Sequence, residues 1–292
     1  MSSWYVIGSD DNMKILRNRQ ELGDYITALK KEGKKIGFAP TMGAFNKGHI
    51  SLYQEARKDN DVCDFICICN PTQFNNPDDL KKYPRTEEHD IAMLEKAGVD
   101  AVYIPTIEDI YPEKAESKHY DFGGIENEME GKFRPGHFDG VGTVVSELFR
   151  QVQPDNAYFG EKDYQQLAII KKLVEIEKFT VKIHGVPIYR AKNGLALSSR
   201  NARLPEREIG EAALIYKTLI KVNEWFRILS ILEIKKRVEE IFEQSDYELE
   251  YFLIADEETL KETDFFYKDK NYRAFIVVFV GEVRLIDNMH MD

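Results

Sequence analysis

The sequence predicts an α/β protein in which a Rossmann-like, doubly wound parallel sheet is followed by a second, smaller α+β domain. Apolar runs of strand length alternate with helix-forming segments up to about residue 188. This alternation is typical of parallel strands that are connected by helices. Beyond residue 201, charged helical segments precede alternating and apolar strand-like runs. Because 292 residues are more than one hydrophobic core usually serves, we expect two domains, residues 1–188 and 189–292.

The strands of the larger domain are predicted from short apolar segments at residues 35–39, 62–69, 99–104, 156–159 and 180–186. Apolar residues at helical spacing predict helices at residues 50–56, 86–97, 142–152 and 164–177. Thr86 can cap the second of these helices, and Gly98 suits the position just past its end. Ligands bind beyond the carboxyl ends of parallel strands. We therefore expect a site at the loops 40–48, 70–74 and 160–163.

The smaller domain is predicted to combine helices with a few strands. The helices are expected at residues 205–227 and 232–243, and the strands at residues 247–254, 274–280 and 283–286. Within the larger domain, the glycine-rich segment 123–136 is predicted to be a mobile flap.

The composition predicts a soluble, cytoplasmic protein. Lys+Arg number 40 against 51 Asp+Glu, a net charge of −11, which argues against a nucleic-acid or anionic-membrane partner. We find no N-terminal basic and apolar pattern that predicts a signal peptide, and no apolar stretch long enough to span a membrane. Cys63, Cys67 and Cys69 lie in one apolar segment and are expected to be reduced and mostly buried.

Two loops that are far apart in the chain predict a phosphate site. The stretch 40–49 contains glycines and leaves a strand to enter a helix, so its backbone N–H groups and the positive helix end favour an anion. Ser198, Ser199 and Arg200 add hydroxyl donors and a charged fork. If the fold brings both loops together, they indicate chemistry on a nucleotide triphosphate.

His49 and Lys162 have both a functional and a structural interpretation. His49 begins a helix, where it is either a cap or a donor to phosphate, and the preceding glycine loop favours the donor. Lys162 follows a strand and is placed to meet a phosphate as a point charge. The structural interpretation of the turn 160–163 is a run of solvated charges in which Asp163 caps the next helix.

Other polar residues are less specific. Gln73, Gln165 and Gln166 suit a small polyhydroxy or carboxylate substrate, unless they are surface amides. His89 and Asp90 allow a metal site, but a solvated acidic helix face is the favoured interpretation. The spacing within residues 134–138, which include His137, does not reveal a role.

Taken in order along the chain, these motifs resemble the pantoate–β-alanine ligase family. The matching stretches are residues 38–44, 48–49, 70–74, 83–86, 134–138, 158–163, 165–166, 194–201 and 284–288. The resemblance covers nearly the whole chain. It implies the architecture of adenylylating nucleotidyltransferases and the ATP-dependent condensation of pantoate with β-alanine through pantoyl adenylate, with pantothenate, AMP and pyrophosphate as products. ATP with Mg²⁺ held mainly by its phosphates, and a homodimer, are implied as well.

The resemblance also implies a set of site residues. The implied ATP-binding residues are Met42, Gly43, Ala44, Phe45, Asn46, Lys47, Gly48, His49, Gly160, Glu161, Lys162, Asp163, Tyr189, Leu197, Ser198, Ser199 and Arg200. Those expected to act in catalysis are Asn46, His49, Lys162, Ser198, Ser199 and Arg200. Gln73, Gln166 and nearby Asn70 match pantoate ligands, and Arg134 matches a residue near the second substrate.

One position departs from the family pattern. Asn46 stands where the family signature has the first of two histidines, and an amide donates a hydrogen bond but carries no proton or charge. Two rival functions remain, and Asn46 supports only the second. One is a related nucleotidylyltransferase that transfers AMP to another acceptor, and the other is a catalytically weak protein that binds nucleotide or pantoate for regulation.

Overall fold

The computed structural model describes residues 13–67, 77–111 and 116–292. Among them it contains a six-stranded sheet and a separate three-stranded sheet, so the predicted fold class is confirmed. The sheets lie on either side of residue 188, and the domain boundary itself stays a prediction. The expected loop 70–74, with Asn70 and Gln73, lies outside the described residues.

The larger sheet is parallel throughout. Its strands are β1 (Lys14–Leu16), β2 (Ile36–Thr41), β3 (Val62–Cys67), β4 (Ala101–Tyr103), β5 (Asn156–Gly160) and β6 (Lys182–Val186). Their order is β1-β4-β3-β2-β5-β6. The chain therefore winds outward from β2 in one direction and from β5 in the other, and the winding reverses between these two strands. The carboxyl ends at such a reversal form the crevice in which open α/β sheets bind ligands.

Helices cover both faces of this sheet. They are α1 (Arg19–Lys31), α2 (Lys47–Asp59), α3 (Pro77–Lys82), α4 (Glu87–Ala97), α5 (Ile107–Ile110), α6 (Met129–Phe133), α7 (His137–Val152) and α8 (Tyr164–Glu177). One core lies between the sheet and helices α1, α7 and α8, with Phe38 and Leu148 each 1% exposed. A second core packs α2 and α4 on the sheet around Tyr53 and Leu94.

The smaller sheet is antiparallel, in the order β7-β8-β9. Its strands are β7 (Glu248–Asp256), β8 (Tyr272–Val280) and β9 (Val283–Met291), and the preceding helices are α9 (Glu206–Glu211), α10 (Ala213–Trp225) and α11 (Ile231–Glu243). Ile215, Ile234 and Ile276 lie in the core of this unit. The single helix expected over 205–227 is divided at Ala212, which separates α9 from α10.

Several local predictions are corrected. No helix or strand is predicted before residue 35, whereas β1 and α1 precede it. Gly98 ends α4 in the left-handed conformation as expected, but the Thr86 side chain caps no backbone N–H. Its hydroxyl instead donates to Asp90 Oδ1 at 3.0 Å. The segment 123–136 contains a 3-10 turn and α6, and its mobility stays a prediction.

Cys63 is buried, as expected. Among the described residues, no helix combines the length and apolarity needed to cross a membrane.

Candidate nucleotide site

The loop after β2 forms the centre of the site. Gly43 and Ala44 both have positive φ angles, 79° and 51°, which turn the chain sharply toward α2. Asp90 holds this conformation, because its carboxylate accepts from the backbone N–H groups of Ala44 and Phe45, both at 2.8 Å. Asp90 is only 3% exposed, so the expectation of a solvated acidic face is wrong for this residue, while His89 is exposed. Asp90 is a loop anchor that sequence reasoning missed.

Asn46 and His49 cap α2 in a reciprocal way. Asn46 Oδ1 accepts from Gly48 N at 2.8 Å, and His49 Nδ1 accepts from Asn46 N at 3.1 Å. Because Nδ1 is an acceptor, the proton of the neutral imidazole lies on Nε2. The two interpretations of His49 are therefore compatible: one ring nitrogen is a structural cap and the other remains a donor.

Burial lowers the pKa of His49 to about 4, and the neighbouring charge of Lys162 adds to the effect against the opposing carboxylates of Asp90 and Asp163. His49 is thus neutral near pH 7. The second polar atom of Asn46, Nδ2, is buried and has no hydrogen-bond partner among the described residues. This orphaned donor fits an acceptor that arrives with a ligand.

The Ser198 loop is built on a second reciprocal cap. Ser198 Oγ accepts from Arg200 N at 3.2 Å, while Asn201 Oδ1 accepts from Ser198 N. Ser199 Oγ donates to the carbonyl of Ala44 at 2.9 Å and thereby joins this loop to the loop after β2. The structure thus brings the two predicted loops together, although they are 155 residues apart at this contact.

A tight turn precedes the Ser198 loop. Gly194 has a φ of 94°, and a Cβ there would lie 2.0 Å from a ring carbon of Tyr216, so only glycine fits. Arg190 forms a two-pronged ion pair with Asp287 of β9, with N–O distances of 2.6 and 2.9 Å. Arg190 also donates to the Gly194 carbonyl at 3.1 Å. The loop is therefore anchored on the smaller sheet.

A cavity of about 220 Å³ lies where these loops meet. The predicted residues that line it are Met42, Asn46, Gly48, His49, Gly160, Lys162, Asp163, Gln166, Tyr189, Leu197, Ser198, Ser199 and Arg200. It opens at the carboxyl ends of β2 and β5, as expected. Tyr189 is 41% exposed, so an aromatic face stands at the mouth of this cavity.

The remaining predicted nucleotide ligands are not part of this lining. Phe45 lies in the core at 4% exposure, and Lys47 is exposed. Gly43 and Ala44 shape the loop through their backbone, and Glu161 lies 4.0 Å from Arg273. Their predicted contact with ATP stays a prediction.

A larger cavity of about 500 Å³ adjoins the first, and Lys162, Gln166 and Arg200 line both. Arg134 lines the larger cavity and lies 3.6 Å from the carboxylate of Glu130. His137 lines it as well and is 8% exposed. Lys162 is partly buried, with an 18% exposed side chain whose Nζ lies 3.4 Å from Asp163 Oδ2. Asp163 occupies the N-cap position directly before α8, but its side chain makes no capping bond, so the predicted cap is absent.

Gln165 and Gln166 have different surroundings. Gln165 is 4% exposed; its Oε1 accepts from Glu130 N at 3.0 Å, and its Nε2 donates to the carbonyls of Ile125 and Glu128, both at 2.8 Å. Gln165 therefore fastens the segment 123–136 to α8, and it also lines the larger cavity. Gln166 lines both cavities, and its role as a pantoate ligand stays a prediction.

Around these cavities, hydrogen-bond donors and positive charges predominate at the carboxyl ends of β2 and β5. The fold and site together define a Rossmann-like α/β protein with a site suited to a nucleotide triphosphate.

The sequence profile of the pantoate–β-alanine ligase family matches residues 14–290. The pantothenate synthetase of Flavobacterium psychrophilum is 50% identical over 281 residues, which cover 96% of this chain and 100% of the relative. That of Bacteroides thetaiotaomicron is 44% identical over 95% of this chain and 98% of the relative.

Solved structures agree. A crystal structure of pantothenate synthetase from Thermus thermophilus superposes with a TM-score of 0.86 at 38% identity, over 95% of this chain and 99% of the other. The pantoate–β-alanine ligase of Francisella tularensis, complexed with Beta-gamma ATP and β-alanine, gives a TM-score of 0.80 at 37% identity over 95% of this chain and 97% of the other. The chain belongs to the pantoate–β-alanine ligase family.

Proposed function

We propose that this chain joins pantoate to β-alanine at the expense of ATP, with pantoyl adenylate as the intermediate. The observation that carries the proposal is the convergence of His49, Lys162 and the Ser198–Arg200 loop on one cavity at the reversal of the parallel sheet. These donors come from three separate segments of the chain. Membership of the family supplies the identity of the substrates.

In the first step, a carboxylate oxygen of pantoate attacks the α-phosphorus of ATP, and the bond to the β-phosphate oxygen breaks. Pantoyl adenylate forms and pyrophosphate leaves. The nucleophile is already ionised near pH 7, so the step needs no general base. The protein lowers the barrier by orienting the reactants and by stabilising the charge that develops on the phosphates.

The cavity offers groups of several kinds for that charge. Lys162 and Arg200 supply positive charge, and Ser198 and the Nε2–H of His49 supply hydrogen bonds. Asn46 contributes the buried Nδ2 donor that has no partner among the described residues. Ser199 already donates to the Ala44 carbonyl, so we assign it to joining the two loops and orienting Ser198.

In the second step, the neutral amine of β-alanine attacks the activated acyl carbon, AMP leaves, and the nitrogen loses a proton to give the amide of pantothenate. Gln166 lies between the two cavities, where its amide can hold pantoate in line. Arg134 in the larger cavity suits the carboxylate of the second substrate. Gln73 and Asn70, the other predicted pantoate ligands, lie outside the described residues.

We assign Mg²⁺ to the phosphates of ATP rather than to a cage of side chains. Among the described residues, no group of three or more His, Cys, Asp or Glu side chains is arranged to hold a metal ion. The donors and cations around the cavity complement phosphate oxygens, and Mg²⁺ in such sites is commonly bound through substrate phosphates and water. When bound, Mg²⁺ neutralises charge on the departing pyrophosphate. A homodimer and a cytoplasmic location are part of the same proposal and rest on the family resemblance.

The experiment that tests the proposal follows all products at once. The purified chain is incubated with ATP, Mg²⁺, pantoate and β-alanine, and each component is omitted in turn. Pantothenate and AMP are expected in equal amounts, and AMP release should depend on the amine. Stable transfer of AMP to a different acceptor would support the related nucleotidylyltransferase instead, and nucleotide binding without turnover would support the regulatory protein.

A further inference from the structure

A residue of the smaller sheet holds the backbone of the Lys162 turn. Asn288 lies on β9 and is 2% exposed. Its Nδ2 donates to the carbonyl oxygens of Glu161 and Lys162, both at 2.9 Å. Two hydrogen bonds from one amide therefore fix the peptide units on either side of the Lys162 Cα.

The orientation of the Asn288 amide is itself fixed. Arg273 Nη1 donates to Asn288 Oδ1 at 2.7 Å, so Nδ2 must face the two carbonyls. Arg273 is held in turn by Glu257, whose carboxylate accepts from Nε at 2.8 Å, and by the ring of Tyr164, which lies 3.9 Å from the guanidinium carbon. Exchanging the amide oxygen and nitrogen would place donors against Arg273 and an acceptor against the carbonyls.

The Lys162 turn is short. It is a single 3-10 turn, Glu161–Asp163, between β5 and α8, and the residue before it, Gly160, provides no side-chain cap. Two of its backbone carbonyls are held by a strand that is 126 residues away at the Lys162 contact. The direction of the Lys162 side chain into the cavity depends on the peptide that Asn288 fixes.

The neighbouring residue of β9 reaches the other phosphate-facing loop. Asp287 pairs with Arg190 and also accepts from the backbone N–H of Asn288 at 2.8 Å. Two consecutive residues of the smaller sheet thus set the positions of the Lys162 turn and of the segment that leads to Ser198. This arrangement accounts for the two buried polar residues in the middle of β9.

We propose that Asn288 is a positioning residue for adenylation and acts through Lys162. For its rate measurements, the inference rests on the proposed function. A displacement of reacting groups by about 1 Å can lower a rate by about 10²-fold. Asn288 itself touches no reacting atom. It sets where the Lys162 ammonium meets the phosphates.

A double-mutant cycle tests this coupling. Asn288→Asp keeps the acceptor for Arg273, replaces the Nδ2 donor with an oxygen that faces the two carbonyls, and adds one negative charge. Pyrophosphate release from ATP, Mg²⁺ and pantoate is measured for the wild type, Asn288→Asp, Lys162→Ala and the double variant. We expect Asn288→Asp to lower the rate about 10- to 100-fold in the wild type and by less than about threefold in the Lys162→Ala background.

The matched control is Asn223→Asp. Asn223 Oδ1 accepts from Asp292 N at 3.0 Å, so this variant also adds one carboxylate to the smaller unit while it keeps the acceptor, and unchanged activity is expected. If Asn288→Asp does not fold, the same double-mutant cycle is measured with Asn288→Ser and judged by the same criteria. The serine side chain is neutral and too short to reach both carbonyls. Wild-type activity in the Asn288 variant, or an equal loss in both backgrounds, would overturn the inference.

A second readout needs no turnover and so separates this inference from the proposed function. The charge of Lys162 helps to lower the pKa of His49. Displacement of Lys162 in the neutral Asn288→Ser variant should therefore raise the pKa of the His49 ring, which is followed by NMR in the protein without substrates. A wild type that forms no pyrophosphate would refute the function, whereas an unshifted His49 in a folded Asn288 variant would refute the coupling.

Discussion

His49 combines two roles that one substitution can separate. Its Nδ1 accepts from Asn46 N and caps α2, and its Nε2–H is the predicted phosphate donor. Gln at the third helical position is a natural partner in such a reciprocal cap. His49→Gln should therefore preserve the cap through Oε1 and displace the donor from the position of the imidazole Nε2–H, whereas His49→Ala loses both.

The expected magnitudes follow from these contacts. Loss of one donor to a transition-state charge costs about 10²–10³ in rate, so both variants should show that loss in adenylation. Loss of the cap costs about 1 kcal/mol of unfolding free energy, and only His49→Ala should show it. Pyrophosphate release and denaturant unfolding measure the two effects separately.

The pH dependence of stability adds a third test. Burial lowers the pKa of His49 from 6.5 to about 4, so its contribution to stability is complete above pH 6.5 and is lost as the pH falls toward 4. This pKa shift corresponds to at most about 3 kcal/mol of unfolding free energy. His49→Gln should abolish this part of the pH dependence of the unfolding free energy. A His49 pKa near 6.5 in the free protein, or a His49→Gln variant with wild-type adenylation, would refute the reasoning.

Three further predictions concern other residues. Asn46→Ala should lower the adenylation rate, because the cap to Gly48 and the buried Nδ2 donor both disappear. Asn46→His should keep the wild-type rate or exceed it. Equal rates for Asn46→Ala and the wild type would show that Asn46 has no role in adenylation. Lys162→Ala and Arg200→Ala should each lower the adenylation rate by at least about 10²-fold with an unchanged circular dichroism spectrum. Near-normal activity in either variant would show that the nucleotide does not bind where we propose. Burial raises the pKa of Asp64 from 3.8 to about 8, so its stabilising contribution is complete below pH 3.8 and is lost as the pH rises toward 8. Asp64→Asn should therefore raise the unfolding free energy at pH 7 by up to about 4 kcal/mol, and an unchanged pH profile of denaturant unfolding would contradict this assignment.

The sequence predicted the parallel sheet and the meeting of two distant loops because both follow from local patterns. Apolar runs, helix caps and a glycine turn can each be recognised from residues that are neighbours in the sequence. Asp90 shows the limit of such reasoning, since it stands in the run Glu87-Glu88-His89-Asp90, which looks like a solvated face. One signal was present: Asp90 lies four residues before Leu94, and both are buried on the same face of α4.

Asn288 could not be assigned from local patterns. Its partners, Arg273 and the carbonyls of Glu161 and Lys162, are brought to it by the packing of one sheet against the end of another. Two adjacent polar residues in the middle of a strand indicate a polar contact, but they do not identify its partner. Gln165 and Gln166 make the same point, because the amide of Gln165 is bonded to the segment 123–136, while Gln166 lines both cavities.

The central claim is that pantoate is activated on ATP before the amine enters. The most direct test is a rapid-quench single turnover with Mg²⁺-ATP and pantoate, with β-alanine present or omitted, and with Lys162→Ala as the control. A burst of pyrophosphate that requires pantoate, does not require β-alanine and is lost in Lys162→Ala is the predicted result. Pyrophosphate that forms only when β-alanine is present, or that forms without pantoate, would contradict the claim.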